Sequence, residues 1–341
     1  MEKILTISIA AYNSEKYLRK CLDSFTCCKE IDKLEVLVIN DGSTDSTRQI
    51  AEEYQSRYPE SITVINKENG GHGSTINTSM KLATGKYFKL VDADDWVDSE
   101  GLDKLVGFLE NTTADLVLNP YTNVNPSGEI TQIISCVKRF NSTECDVIEY
   151  GNEYEIKDVE NVIDLQMHTS TFRTDILKQM GRSITEHCFY VDNEYILYPI
   201  PYVKRVVFQN YIVYRYLLGR PDQSANKQSM VDRRSQYLHV LKKLIQFYYS
   251  RKNGTGLDLI HNNIANMIRT HYSVYFRMKN VGTGKKELRQ FDNYLKNYDL
   301  YSYVVTQYKG KSTLFLRHMR KTKFNGYEFV MTILHSLGYY C

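Results

Sequence analysis

Residues 86–96 read Lys-Tyr-Phe-Lys-Leu-Val-Asp-Ala-Asp-Asp-Trp, and the organisation of the chain follows from this stretch. It opens as a strand: Tyr87, Phe88, Leu90 and Val91 suit a pleated, half-buried backbone. It then sets three carboxylates, Asp92, Asp94 and Asp95, side by side. Like charges this close repel and are costly unless a cation is shared among them. A turn at the end of a strand can aim both side chains of an Asp-x-Asp into one cleft. Oxygen-only ligands suit Mg²⁺ or Mn²⁺, and Mg²⁺ is usually held by one or two carboxylates plus substrate phosphates. The chemical reading is a metal–diphosphate site. The plain reading is an acidic turn that caps the next helix through Asp98 or Ser99. The stretches on either side decide between them.

Upstream, Ile4 to Ala11 is a buried strand running into Ala11-Tyr12-Asn13-Ser14-Glu15. Ser14 is placed to cap a helix carrying Tyr17, Leu18, Cys21, Leu22 and Phe25. Leu34 to Ile39 is a near-continuous apolar run, as expected for a strand covered on both faces. It ends in the turn Asn40-Asp41-Gly42, and Ser43 to Asp45 offer caps for a helix through Ile50 and Tyr54. Ile62 to Ile65 is a third strand. Asn69-Gly70-Gly71-His72-Gly73 is a turn into a helix through Ile76, Met80 and Leu82, which Gly85 is expected to end. This β-α-β-α-β-α-β alternation implies an α/β fold with a mostly parallel sheet and helices on both faces. Ligands then sit beyond the carboxyl ends of the strands. Tyr12-Asn13, Asp41 and Asp92–Asp94 all fall there.

Downstream come a helix over 102–109, a strand over 116–118, and a hairpin turn at Asn125-Pro126-Ser127-Gly128. A short helix is expected over 171–180, and one or two strands over 203–213. The loop Gly219-Arg220-Pro221-Asp222-Gln223-Ser224 marks a boundary, giving an α/β domain over 1–225 and a mainly helical module over 226–341. The module's helices run through Tyr237–Tyr248 and Leu257–Ile268, with breaks expected at Gly254-Thr255-Gly256 and Gly282-Thr283-Gly284. Residues 309–323 hold six Lys or Arg and no acid, interleaved with Leu314, Phe315, Leu316 and Met319. This segment is a candidate for peripheral contact with an anionic membrane surface. The alternative is the solvated face of a packed helix.

A chain of 341 residues with 42% hydrophobic and 24% charged residues can bury a substantial core. A net charge of +3 makes no case for nucleic acid. Tyrosine is abundant, 28 against a single Trp, so many rings straddle core and wet edge; the tyrosine-rich helical end is a candidate homo-oligomer interface. The 7 cysteines include no Cys-x-x-Cys pair, which argues against a disulfide frame or a zinc site and for a reducing cytoplasm. The opening residues are too short and polar for a signal peptide, and no apolar run of about 18 residues occurs. The expected location is cytoplasmic, extending at most to the inner face of the cell membrane.

Three motifs in this order and spacing, Ser-Ile-Ala-Ala-Tyr-Asn-Ser-Glu-Lys-Tyr-Leu (8–18), Val-Ile-Asn-Asp-Gly-Ser-Thr-Asp (38–45) and Leu-Val-Asp-Ala-Asp-Asp-Trp (90–96), resemble the family 2 glycosyltransferases of the GT-A fold. The resemblance is close over roughly the first 120 residues and looser to about 225. It implies inverting transfer from a nucleoside-diphosphate sugar, most often a UDP-sugar, to a glycan or lipid-linked acceptor. It implies that Tyr12 stacks on the base, with Ala11 and Glu15 nearby, and that Asp41 accepts a hydrogen bond from it. Asp92, with Ala93 beside it, would reach the ribose and the metal shell. Asp94 would bind the Mn²⁺ or Mg²⁺ that bridges the phosphates and neutralises the departing nucleotide.

Inverting transfer also needs a general base. In this family it is an Asp, commonly in a Glu-Asp pair about a hundred residues after the Asp-x-Asp. Asp192 takes that place, with Glu194 as the fallback and Val191 where the paired Glu is usual. Arg220 and Ser224 look like the later loop that closes on the diphosphate, an arginine suiting phosphate through paired charge-assisted bonds. Ile76 stands where many members carry Arg, so one phosphate or base contact is either missing or taken over by His72 or Lys67. His168 and His187 are candidates to face the acceptor, although a satisfied structural histidine is the commoner role for each.

Three other readings compete with this one. A sugar nucleotidylyltransferase would need a Gly-rich basic loop after the first strand, and residues 11–14 offer none. A degenerate sugar-nucleotide binder would not need Asp92, Asp94 and Asp192 together. A dinucleotide-binding reading fails because Gly71-x-Gly73 is followed by Ile76 where a third Gly belongs.

Overall fold

The computed structural model describes residues 2–140, 143–144, 148–220, 223, 226–251, 254–306 and 311–339. The chain forms two compact units, one of Met1–Pro221 with Arg251–Leu259, the other of Asp222–Ser250 with Ile260–Cys341.

The first unit begins with β1 (Leu5–Ala11), α1 (Leu18–Thr26), β2 (Leu34–Asp41), α2 (Thr47–Arg57), β3 (Ile62–Lys67), α3 (His72–Leu82) and β4 (Tyr87–Asp92). It continues through β5 (Trp96–Val97), α4 (Ser99–Asn111), β6 (Leu116–Leu118), β7 (Tyr121–Val124), β8 (Ile130–Ile134), β9 (Arg139–Phe140), β10 (Thr143–Glu144) and β11 (Glu153–Glu155). It ends with α5 (Ile156–Val159), β12 (Ser170–Arg173), α6 (Thr174–Gln179), α7 (Asp192–Leu197), β13 (Arg205–Phe208) and β14 (Tyr214–Leu217).

An eight-stranded sheet runs in the order β11-β13-β6-β12-β4-β1-β2-β3. β1 to β4 are mutually parallel where they pair. The burial follows the apolar pattern: every residue of β2 except Glu35 is buried, whereas Thr63 and Asn66 of the edge strand β3 are exposed. The register sets Ala10 beside Asp92, Ala11 beside Asn40, and Asp41 beside Lys67. The three motif-bearing strand ends are therefore level along one edge. A smaller sheet, β5-β14-β7-β8, brings β14 alongside the acidic turn that follows β4.

Several local expectations change. Asp98 does cap α4, accepting from the Gly101 N–H at 2.9 Å. Ser14 does not cap α1: its hydroxyl turns back to the Tyr12 carbonyl, and the helix starts at Leu18. Gly85 does not end α3, which stops at Leu82 with Ala83 extended. A Cβ at Gly85 would stand 2.6 Å from the Thr6 nitrogen, so this glycine lets the entry to β4 approach β1. Residues 171–173 belong to a strand, β12, wedged antiparallel between β4 and β6; only the remainder is helical.

The second unit is helical: α8 (Lys227–Asp232), α9 (Arg234–Ser250), α10 (Leu257–Phe276, its first residues counted with the first unit), α11 (Val281–Leu295), α12 (Leu300–Thr306), α13 (Lys311–Lys321) and α14 (Tyr327–Ser336). Gly282 and Gly284 lie inside α11 rather than in a break, and a Cβ at Gly284 would press on the Tyr275 carbonyl at 3.0 Å. Asp292 of α11 is buried and takes hydrogen bonds from Tyr272 of α10 at 2.8 Å and Arg320 of α13 at 2.7 Å. A buried carboxylate paired in this way resists removal of either partner. Arg320 is thus committed to packing, and Leu316 and Met319 are core residues, so much of 311–321 is a packed helix.

Candidate active site

The loops after β1 and β2 hold each other through side chains. Asn13, at a left-handed φ of 47°, donates its N–H to Ser43 Oγ at 3.1 Å and accepts from the Thr44 N–H at 2.9 Å. Asp45 accepts from the Glu15 N–H at 3.1 Å and the Thr47 N–H at 2.9 Å, and Glu15 accepts from the Ser46 N–H at 3.0 Å. Glu15 is therefore part of the lock between the loops. Tyr12 stands out from it, 53% exposed, with its ring face available.

Asp41 is almost fully buried. Its carboxylate accepts from Lys67 Nζ at 2.7 Å, the Gly70 N–H at 2.9 Å and the Gly71 N–H at 2.8 Å. A carboxylate has about four acceptor sites, so Asp41 mainly shapes the 69–73 turn and keeps little capacity for a ligand. That turn is pressed onto the segment before α7: the His187 N–H donates to the Gly70 carbonyl at 2.6 Å. A Cβ at Gly73 would meet the Thr185 carbonyl oxygen at 2.0 Å. Asn77 clamps the same segment through the Ile184 N–H and carbonyl at 2.8 and 2.9 Å.

His72 opens α3 with Nε2 3.4 Å from Asp92 Oδ1. Burial lowers the imidazole's proton affinity, while the negative charges of Asp192, Asp94 and Asp41 oppose that shift. Burial raises the Asp192 carboxyl, with His72 opposing and Asp92 adding to the rise. His72, Asp92 and Asp192 therefore share one electrostatic environment. The Asp192 side chain is half-buried at the start of α7, following His187 and Tyr190, which hold left-handed φ values of 52° and 66°. Such conformations are uncommon for bulky residues and persist where surrounding contacts enforce them.

Carboxylate oxygens of Asp92, Asp94 and Asp95 lie within 4.8 Å of one another. Burial pushes the Asp92 carboxyl up to about 7, with Asp94 adding to the shift and Arg220 opposing it. Burial, with Asp94 and Asp92 adding to it, pushes Asp95 well above the usual carboxylate range. Crowded carboxyls of this kind call for protons or a shared cation. Asp95 is not free to supply a ligand: Tyr214 donates to its Oδ2 at 2.6 Å and the Leu217 N–H to its Oδ1 at 2.8 Å. Ala93 is buried in the turn, which closes with the Asp95 N–H on the Asp92 carbonyl at 3.0 Å. The donor set that suits a hard divalent cation is Asp92 with Asp94.

Arg220 forms an ion pair with Asp94, its guanidinium 4.4 Å from the centre of the Tyr17 ring. The arginine expected at the phosphates therefore rests on an expected metal ligand. Ser224 lies outside the described residues. Glu194 does not meet the cleft: it is fully buried, accepting from the Thr185 N–H at 2.7 Å, Thr185 Oγ1 at 2.8 Å and Tyr198 at 3.1 Å. It anchors the segment before α7, whereas the Asp192 side chain is half-buried at the helix start. Ile76 and Val191 are both fully buried core residues. His168 is half-buried and ringed by Tyr121, Tyr214 and Tyr216, with ring centres 4.3–4.8 Å away. Tyr214 was not legible as a site residue, because nothing in the sequence pairs it with Asp95.

The family model for glycosyl transferase family 2 matches residues 6–180. The chain belongs to this family. Among curated family relatives, glycosyltransferase GlyA of Streptococcus pneumoniae serotype 4 is 35% identical over 123 residues, which is 36% of this chain and 17% of GlyA. The chain spans a third or less of the length of the curated relatives it matches first. Among solved structures, S. aureus TarS 1–349 in complex with UDP-GlcNAc superposes with a TM-score of 0.65 at 20% identity, covering 99% of this chain and 92% of that one. The mannosyltransferase PcManGT of Pyrobaculum calidifontis, in complex with GDP-Man and Mn²⁺, gives a TM-score of 0.51 at 16% identity, covering 98% and 87%. The fold is GT-A with a helical C-terminal region. Among the described residues, no helix is long and apolar enough to cross a membrane.

Proposed function

We propose that this family 2 chain transfers a sugar from a nucleoside-diphosphate sugar, a UDP-sugar first among them, to a hydroxyl of a glycan or lipid-linked acceptor with inversion at the anomeric carbon. The observation that carries the reading is that His72 lies 3.4 Å from Asp92 and shares one electrostatic environment with Asp94 and Asp192, at the sheet edge where the exposed Tyr12 follows β1. The likeness to TarS, solved with UDP-GlcNAc, supports a uridine nucleotide, and PcManGT, solved with GDP-Man and Mn²⁺, supports a divalent cation.

In this reading Tyr12 stacks on the base. Asp92 and Asp94 would hold Mn²⁺ or Mg²⁺, which when bound would neutralise charge on the departing diphosphate. Arg220 exchanges Asp94 for phosphate oxygens, a change its planar fork of donors favours. Asp192 accepts the acceptor's proton as the acceptor oxygen bonds to the anomeric carbon and the bond to the diphosphate breaks. Burial raises the proton affinity of Asp192, the direction that strengthens a carboxylate as a base.

The test is a thermal-shift screen of UDP-, GDP- and dTDP-sugars with and without Mn²⁺. UDP-sugars should stabilise the protein, and more so with the cation. Stabilisation by none of them, or equal stabilisation with and without cation, would overturn the reading.

A further inference from the structure

The acidic and basic residues of the chain are sorted by unit. The helical unit holds 18 Lys and Arg against 6 Asp and Glu, a net of +12, within a chain whose total is +3. Three of its acids are already paired, Glu287 with Arg234, Asp292 with Arg320 and Glu328 with Lys285. Lys279, Lys286, Arg289, Lys296, Lys321 and Lys323 are exposed and form no ion pair among the described residues. A surface this basic attracts a polyanion or an anionic interface.

A second, independent feature separates these two. α14 buries Tyr327 and Met331, yet leaves Phe329 73%, Ile333 42% and Leu337 65% exposed. These three are spaced by four residues and form one outward stripe along the helix and its C-cap. Tyr339, 57% exposed, follows. A phosphodiester or acidic glycan chain gains nothing from such a stripe. A bilayer gains from both features, because apolar side chains enter the acyl boundary while lysines meet the headgroups. A symmetric contact between two copies through α14 would bring two strongly basic units together, which like-charge repulsion opposes.

We infer that the helical unit docks on anionic membrane surfaces, with Phe329, Ile333 and Leu337 entering the lipid and the exposed lysines selecting negatively charged headgroups. This places the apolar insertion on α14 rather than on 309–323, where Leu316, Met319 and Arg320 are committed to the core and the exposed Lys321 and Lys323 are left to meet headgroups. The inference stands independently of the transfer reaction.

The experiment is flotation of the full chain with phosphatidylglycerol vesicles and with phosphatidylcholine vesicles, at low and at high salt. Binding should favour phosphatidylglycerol and weaken with salt. Phe329→Ser with Leu337→Ser should lower the partition coefficient about tenfold or more, and Lys321→Glu with Lys323→Glu should reduce the lipid preference. Circular dichroism and thermal unfolding of each variant show whether the fold is kept. In Phe329→Trp, the emission should shift to the blue with phosphatidylglycerol vesicles, against the constant background of the chain's single Trp. Three results would overturn the inference: no lipid preference, parental binding by the serine variant, or no vesicle binding together with a dimer that the serine variant dissociates.

Discussion

The hydroxyl of Tyr214 donates to Asp95 at 2.6 Å and accepts from the Asp92 N–H at 3.2 Å, so one phenol fixes both ends of the acidic turn. Removing it in Tyr214→Phe leaves a buried carboxylate oxygen short of a donor, which costs about 1–3 kcal/mol. Urea unfolding should show that loss. The nucleotide-induced thermal shift should also depend less on Mn²⁺, because Asp92 and Asp94 are no longer held together.

Asp192→Asn should lower turnover by roughly 10²–10⁴-fold, with UDP still raising the melting temperature as in the parent. Glu194→Gln should act differently. It weakens the anchor on Thr185 and Tyr198, so its main effect should appear as lost stability. A fully active Asp192→Asn protein would remove the base assignment.

Arg220 is paired with Asp94, the residue proposed to take the cation, so the two should compete for it. Arg220→Ala should therefore strengthen Mn²⁺ binding to the nucleotide-free protein by several-fold, while weakening UDP binding in the presence of Mn²⁺. Isothermal titration of each ligand separates the two effects. Asp94→Ala should abolish the cation dependence of UDP binding altogether.

Two glycines make a matched pair. Gly73→Ala forces a Cβ against the Thr185 carbonyl, so the turn bearing His72 must shift away from the segment before α7. Overpacking of this kind costs about 1–3 kcal/mol, and here it should lower turnover as well. Gly107 lies within α4, where an added Cβ would meet nothing within 4 Å. Gly107→Ala should stabilise by about 0.5–1 kcal/mol without touching activity. Chemical denaturation and initial rates check both.

Burial holds the His168 and His271 imidazoles down at about 3, with the nearby Lys89 charge adding to the effect on His168 and Arg234 and Lys242 on His271. Both stay neutral when folded and charge when unfolded below the ordinary value of 6.5. The unfolded state therefore binds more protons between about 6.5 and 3, and stability falls as pH drops through that window. The denaturation midpoint should decline accordingly, and His271→Phe should flatten the slope between about pH 6.5 and 5.

The succession of strands and the places where they end were legible because alternating apolar runs and Gly- or Asp-rich turns are local signals. Tyr12, Asp41 and Asp92 could be placed at one sheet edge from that pattern alone. What was not legible depended on distant partners. Asp41 is used up by Lys67 and two backbone amides, Glu194 by Thr185 and Tyr198, and Asp95 by Tyr214 from 119 residues away. Nothing in a carboxylate's own neighbourhood in sequence reveals such pairing. Likewise Gly85 and Gly284 read as breaks because close approach between elements leaves no local mark.

The mutual grip of the loops after β1 and β2 has a bearing on how readily donor choice can drift. Asn13, Glu15, Ser43 and Asp45 maintain each other's positions without help from the neighbouring phenol. In the proposed reading, where Tyr12 meets the base, it is consequently an interchangeable fitting on a fixed mount, and a different aromatic or a smaller residue there should alter nucleobase preference while the scaffold beneath stays as it is.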